Sequence, residues 1–286
     1  MAPLYKKALI IGATSGIGEA LAAKLVSEGT SVVVTGRRQE KLDAFVAKHS
    51  GSSASTGVSA SAVAFDITQL GEIPAFAASV LGVNPDLDCV VLNSGIQRPF
   101  DFSRPETVDL DAFGLELTTN YLAFVHLATA FLPHLRRLAK DQTQTHLVFV
   151  SASLGLIPSL LRTPGYNASK AALHSWIMAV RQQLKEKAGG SNGNGSVRLV
   201  EVFPPAVQTE LHDTKHQADM RNGGDLGMPL QPFVEQMYAG LLRGDDQFAV
   251  GFAEALLAEG GWEAERQRLF QEQHVAVSAA VAKFLK

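Results

Sequence analysis

The chain has 286 residues, 46% of them hydrophobic and 19% charged, with a formal net charge of −3. This is the profile of a globular protein with a large core; it excludes a disordered chain and offers no basic surface for nucleic acid. The lone cysteine, Cys89, excludes an intrachain disulfide and any multi-cysteine metal site, and its apolar strand-like setting predicts a buried, reduced thiol.

The N-terminal MAPLYKKALIIGA has no secretory leader pattern. No run reaches the roughly 18–20 apolar residues of a membrane span. The longest candidate, YLAFVHLATAFL from Tyr121, is interrupted by His126. A cytoplasmic location is the expectation.

KALIIG reads as a first strand and leads straight into GATSGIGEALA. Gly12, Gly16 and Gly18 stand between that strand and a helical pattern, where backbone N–H groups can approach a pyrophosphate at the helix N-terminus. The second strand, SVVVTG, ends at Gly36 and Arg37. An acid at that place would hold the ribose 2′-OH of NAD; a guanidinium grips a 2′-phosphate, so the sequence predicts NADP(H) over NAD(H). Arg38 either assists or faces water. QEKLDAFVAKH follows as a helix. The Ser/Ala/Gly-rich stretch after Ser50 reads as a surface loop.

SAVAFD is the third strand. Its Asp66 either accepts from an adenine amino group or, with Thr68, caps the next helix. After that helix, ITQLGEIPAFAASVLG, the fourth strand DCVVLN runs into NSGI. There Gly95 lets a flat ring lie against backbone, and Asn93 either joins that surface or anchors the neighbouring strand. Phe100, Phe102, Leu160 and Leu161 either line an apolar pocket or pack. A long helical pattern covers DLDAFGLELTTNYLAFVHLATAFLPHLRRLAK, followed by a fifth strand, THLVFVS. Another long helix begins at YNASK. Tyr166 and Lys170 share one helical face, so the ammonium would pull the phenol pKa down from about 10 and make it an acid useful near neutrality. AGGSNGNGS reads as a loop before the sixth strand, VRLVEVFPP. The glycine-containing stretch from Glu210 to about 230 reads as a substrate loop able to close over a ligand. His212 and His216 lack a third ligand, so no metal site is predicted. The amphipathic tail HVAVSAAVAKFLK, at the end of a helical stretch 256–286, could bind a membrane or a partner, but it reads first as a helix that docks on its own domain or on a second subunit.

Continuous apolar strands alternating with helices predict a Rossmann-like, doubly wound α/β fold in one domain, with a core of about 5–255 and a parallel sheet of about seven strands.

Together, Gly12-x-x-x-Gly16-x-Gly18, Asp66, Asn93-Ser94-Gly95, Asn120, Ser153 and Tyr166-x-x-x-Lys170 resemble the short-chain dehydrogenase/reductase family in order and spacing. NSGIQ and PPAVQTEL look most like the subfamily related to the oxidoreductases of D-alanyl-lipoteichoic-acid operons. The resemblance implies Tyr166 as general acid and base, with Lys170 tuning it and holding the nicotinamide ribose. It implies Ser153, thirteen residues before the tyrosine and with Ser151 nearby, as donor to the substrate oxygen. Asn120 would support the lysine through water. NADP(H) contacts would come from Thr14, Ser15, Ile17, Ile67, Ser94, Pro204, Val207 and Thr209, besides the residues above. Ile11, Leu92 and Pro205 depart from the family pattern without removing a reacting group. The implied function is carbonyl–alcohol interconversion on a small to medium, partly apolar substrate, by a homodimer or homotetramer. One alternative is a cofactor-binding redox sensor without turnover, although that reading expects decay of the Ser/Tyr/Lys set. The other is a sugar-nucleotide epimerase or dehydratase, which needs a larger C-terminal part.

Overall fold

The structure is a computed structural model and describes residues 2–49, 57–140, 144–187 and 197–285. The AGGSNGNGS loop and the start of the Ser/Ala/Gly-rich stretch lie outside the described residues.

Seven strands form one sheet: β1 (Lys7–Ile11), β2 (Ser31–Gly36), β3 (Ala60–Ala64), β4 (Cys89–Leu92), β5 (Thr145–Val150), β6 (Val197–Phe203) and β7 (Gln247–Ala249). Their order is β3-β2-β1-β4-β5-β6-β7, and each neighbouring pair is parallel. The helices are α1 (Gly16–Ser27), α2 (Gln39–His49), α3 (Ile73–Val83), α4 (Leu110–Leu117), α5 (Ala123–Lys140), α6 (Pro164–Lys187), α7 (Leu230–Arg243), α8 (Glu254–Leu257) and α9 (Trp262–Ala282).

The apolar strands are explained by burial on both faces. In β1, Ala8 and Ile10 pack with Leu21, Leu25 and Phe233 on the α1/α7 side. Leu9 and Ile11 pack with Phe124, Phe131 and Leu173 on the α5/α6 side. Cys89 is fully buried in β4. The chain leaves β1 for β2 and β3 on one side, then crosses back to β4 on the other. That reversal opens a crevice at the C-terminal ends of β1 and β4, the usual ligand position in such sheets.

Two local features differ from the sequence pattern. The seventh strand is QFA, too short to announce itself by alternation or β-branching. The long helical pattern after Asp109 is broken by a π-helical turn at Thr118–Leu122, between α4 and α5. Such single turns are frequent at functional positions, and this one carries Asn120.

The tail folds back along α6. Glu263, in the first turn of α9, is fully buried, whereas Val275, Val277, Val281 and Phe284 further along are exposed. The start of α9 is therefore docked on its own domain, whereas the apolar residues of HVAVSAAVAKFLK are exposed in the single chain. Among the described residues no helix is long and apolar enough to cross a membrane.

Candidate active site

The crevice begins at the glycine loop. Gly12 has φ +86°, a conformation that L side chains rarely adopt, and a Cβ there would stand 2.5 Å from Ser94 Oγ. A Cβ on Gly18 would stand 2.2 Å from the Gly12 carbonyl oxygen and 2.6 Å from Asn93 Nδ2. The β1 and β4 loops thus meet backbone to backbone, and Asn93 Nδ2 donates to the Gly12 carbonyl at 2.9 Å. Asn93 takes the anchoring part of its two readings. Gly18→Ala is expected to cost about 1–3 kcal/mol by overpacking. A melting temperature equal to wild type would show that the loop can yield.

Ser15 precedes α1 with extended backbone and makes no side-chain cap. Its hydroxyl instead accepts from Arg38 Nη2 at 2.7 Å. The first-turn N–H groups of α1 therefore lack a side-chain acceptor, and positions 12 and 18 have no room for a Cβ. A cradle of this form fits a pyrophosphate. Thr209 lies against it: a Cβ on Gly16 would stand 3.1 Å from Thr209 Cγ2. Val207 is buried and bridges to Met228.

Arg37 is exposed and has no bonded side-chain partner among the described residues. Arg38 is half-buried and engaged. It donates to Thr14 Oγ1 at 2.9 and 3.1 Å and pairs with Glu210 at 2.7 Å. Asp66 Oδ1 accepts from the Thr68 N–H and hydroxyl at 3.0 and 2.8 Å, which closes a turn after β3; the capping part of its two readings fails, because the helical turns that start at Leu70 and Ile73 have no side-chain cap. Ile67 beside it is buried.

Asn120 is fully buried in the π turn. Its Oδ1 accepts from the Ile96 N–H at 2.9 Å, and its Nδ2 donates to the Ile96 carbonyl at 2.9 Å and to Ser169 Oγ at 3.1 Å. It ties the loop after β4, which contains Gly95, to α6.

Tyr166 and Lys170 are both buried, one turn apart on α6, with Lys170 Nζ 5.7 Å from the tyrosine ring centroid. Lys170 Nζ donates to the Val150 carbonyl at 2.8 Å. Burial pushes this ammonium down to about 8, against the charge of Glu201. Contrary to the expectation from the motif, the phenol is not lowered. Burial, and then the charge of Glu116, hold the Tyr166 hydroxyl well above its ordinary value. In the chain by itself, desolvation outweighs the neighbouring ammonium.

Ser153 lies in a short 3-10 turn at the end of β5, with its N–H donating to the Pro204 carbonyl at 3.0 Å. The same turn is pressed on α6, where a Cβ on Gly155 would stand 2.9 Å from the Lys170 backbone. The Ser153 hydroxyl has no partner among the described residues, whereas Ser151 Oγ is sealed from solvent.

The opposite wall carries residues outside the motifs. Gln217, fully buried in the 210–230 loop, donates to Gln97 Oε1 at 2.9 Å and to the Leu211 carbonyl at 3.0 Å. Arg162 bonds Gln217 and pairs with Asp219. The loop is thus held down on the loop after β4. His212 is buried within it. Phe100 packs edge-on to Phe113 at 5.3 Å, while Phe102 and Leu161 are exposed and Leu160 is half-buried. Glu116 is buried in α4. It is the one residue of this wall with a readable signal: it stands one turn before Asn120 on the same helical face.

A family model described as short chain dehydrogenase matches residues 6–220. The chain belongs to that family. A curated relative, the "Uncharacterized oxidoreductase DltE" of Bacillus subtilis, is 30% identical over 93% of this chain and 95% of its own length. The likeness read from NSGIQ and PPAVQTEL is therefore upheld. Two solved structures share the fold. A short-chain dehydrogenase from Sphingobium yanoikuyae in complex with NADPH has a TM-score of 0.72 at 22% identity, covering 93% of this chain and 95% of that one. A short chain dehydrogenase/reductase from Burkholderia phymatum in complex with NAD has a TM-score of 0.64 at 21% identity, covering 86% and 82%. This short-chain dehydrogenase is an enzyme of the dehydrogenase/reductase type, acting with a nicotinamide dinucleotide on a small molecule.

Proposed function

We propose that this short-chain dehydrogenase is an NADP(H)-dependent oxidoreductase that interconverts a carbonyl and an alcohol on a small to medium, partly apolar substrate. The observation that carries the reading is the packing of the Ser153 turn on α6, where Tyr166 and Lys170 stand one above the other. The bound nicotinamide would supply hydride to the carbonyl carbon, or accept it in the reverse direction. Tyr166 gives its proton to the carbonyl oxygen and takes it back in oxidation. Ser153, with a free hydroxyl, donates to the same oxygen. Lys170 holds the nicotinamide ribose and compensates the phenolate. Asn120 positions Lys170 indirectly, by fixing Ile96 and Ser169 at the two sides of the crevice.

Gly12, Ser15, Gly16, Ile17 and Gly18 form the pyrophosphate cradle, with Thr209 against it. Asp66 and Ile67 bound the adenine, and Asn93, Ser94, Gly95, Pro204 and Val207 the nicotinamide end. Arg37, Arg38 and Thr14 receive the 2′-phosphate, the two guanidiniums standing where NAD would need an acid. Arg37→Asp is expected to weaken NADPH about tenfold or more and NADH far less. Binding titrations with both nucleotides check this; equal losses would take Arg37 out of the role and leave it to Arg38. The chain works as one catalytic domain in the cytoplasm. It does so as a homodimer or homotetramer built on α5, the π turn before it and α6, where Leu122 in that turn and Ala168 and Ala171 on α6 are exposed.

NADPH oxidation against a panel of ketones, aldehydes and quinones tests the reading. NADPH binding without turnover on any of them would turn it into the sensor.

A further inference from the structure

Arg38 is offered to a 2′-phosphate, yet the chain already holds an anion on it. Its Nη1 donates to Glu210 Oε2 at 2.7 Å. Its Nε and Nη2 donate to Thr14 Oγ1 at 3.1 and 2.9 Å, and Nη2 donates to Ser15 Oγ at 2.7 Å. A guanidinium has five N–H groups, so these bonds leave one of them, on Nη1. A bidentate grip on a phosphate needs two N–H groups side by side. Arg38 therefore has to give up a partner before it can take a phosphate in that way.

The three partners are not equivalent. The Thr14 and Ser15 hydroxyls can rotate and donate to a phosphate themselves. An ionised carboxylate accepts only, and it repels the incoming group. Glu210 is thus the partner that has to yield. It comes from the substrate loop and not from the nucleotide half of the sequence. It opens the 3-10 turn Glu210–His212, directly after Thr209, which lies against Gly16. Among the described residues, Arg38–Glu210 is the one ion pair between this loop and the end of β2. The loop does not depend on it. Gln208 and Met228 close the loop's base through their backbones, Gln217 bonds Gln97, and Asp219 pairs with Arg162. The pair is also not a chance meeting of two flexible surface chains, because Thr14 and Ser15 fix the guanidinium.

We propose that Glu210 is a specificity-determining residue that competes with the 2′-phosphate for Arg38 and so narrows the preference for NADP(H) over NAD(H). This rests on the reading of Arg38 as a ligand of the 2′-phosphate. NAD(H), which has no such group, leaves the ion pair in place and pays nothing for it. NADP(H) binds only as the carboxylate is turned away from the guanidinium, and the difference between the two nucleotides is smaller by that cost.

Adenosine 2′,5′-bisphosphate and 5′-AMP are the probes, since they differ by the 2′-phosphate alone and need no turnover. Glu210→Gln keeps the shape and an acceptor for Arg38 while removing the charge. In calorimetric titrations it is expected to bind the bisphosphate about five- to tenfold tighter than wild type, with 5′-AMP unchanged within about twofold. NADPH and NADH should follow the same pattern. Arg38→Ala is measured beside it and should weaken the bisphosphate. A bisphosphate affinity unmoved by Glu210→Gln but lowered by Arg38→Ala would overturn the competition and leave the 2′-phosphate reading standing. Weaker bisphosphate binding in Glu210→Gln would overturn it too, by making the carboxylate a support for Arg38. An affinity unmoved by either variant would take Arg38 away from the 2′-phosphate and remove the competition with it.

Discussion

Tyr166→Phe is expected to lose turnover about a thousandfold, the scale of a positioned general acid, while binding NADPH as tightly as wild type. Tyr166 is the proposed acid, and its buried ring rests on packing that phenylalanine preserves. Tyr166 is only 7% exposed, and Lys170 Nζ is held by the Val150 carbonyl rather than by the hydroxyl. Removing the oxygen therefore leaves no broken bond to lysine. Steady-state rates on an accepted carbonyl, beside NADPH fluorescence titrations, separate chemistry from binding. A variant with wild-type turnover would move the proton donor elsewhere. A variant that loses NADPH together with turnover would make Tyr166 a structural residue.

The second large effect lies one turn beyond Lys170. His174 is fully buried and bonds two carboxylates, Glu201 Oε2 at 2.7 Å and Glu263 Oε1 at 3.0 Å, both fully buried as well. Burial works against a charged imidazole, but the charges and hydrogen bonds of Glu201 and Glu263 win and raise it to about 9. His174→Leu leaves two buried carboxylates facing an apolar side chain and is expected to cost about 3–5 kcal/mol. Arg266, 3.2 Å from Glu263, and Arg181 at the same cluster relieve part of that cost.

The pH dependence follows from the direction of the shift. The folded-state value lies above the ordinary 6.5, so the imidazolium stabilises fully below about 6.5 and progressively less as pH rises through about 9. The wild-type melting temperature should fall over that window, and the fall should be smaller in His174→Leu. Parallel curves for the two proteins would show that His174 is neutral in the fold. Because Glu263 belongs to α9, the same cluster fastens the C-terminal helix to the helix that carries Tyr166.

Much of the site was legible before any coordinates. The glycine loop announces itself because close backbone approach admits only residues without a Cβ, and Gly12 and Gly18 meet that demand. Tyr166 and Lys170 are legible because helical periodicity turns a spacing of four into a shared face. Asn120 is legible by its place in the family pattern, but its π turn is not, since no residue type specifies that local widening. Arg37 and Arg38 are adjacent in sequence and equivalent in charge. Only the fold sends one to solvent and the other onto Thr14, Ser15 and Glu210.

The sequence by itself determined the parallel, doubly wound sheet, the place of the crevice and the residues proposed to react. Each of these rests on local rules: burial on both faces of apolar strands, helical spacing, and glycine where no Cβ fits. Tertiary structure alone decided what surrounds that set. Ser153 is left with a free hydroxyl and Ser151 is sealed. Glu116 is buried against Gly165, and Glu263 comes back 89 residues along the chain to meet His174. The reason is electrostatic. A side chain's charge state depends on the water removed from around it and on charges brought near from distant segments, and neither quantity exists until the chain has closed on itself.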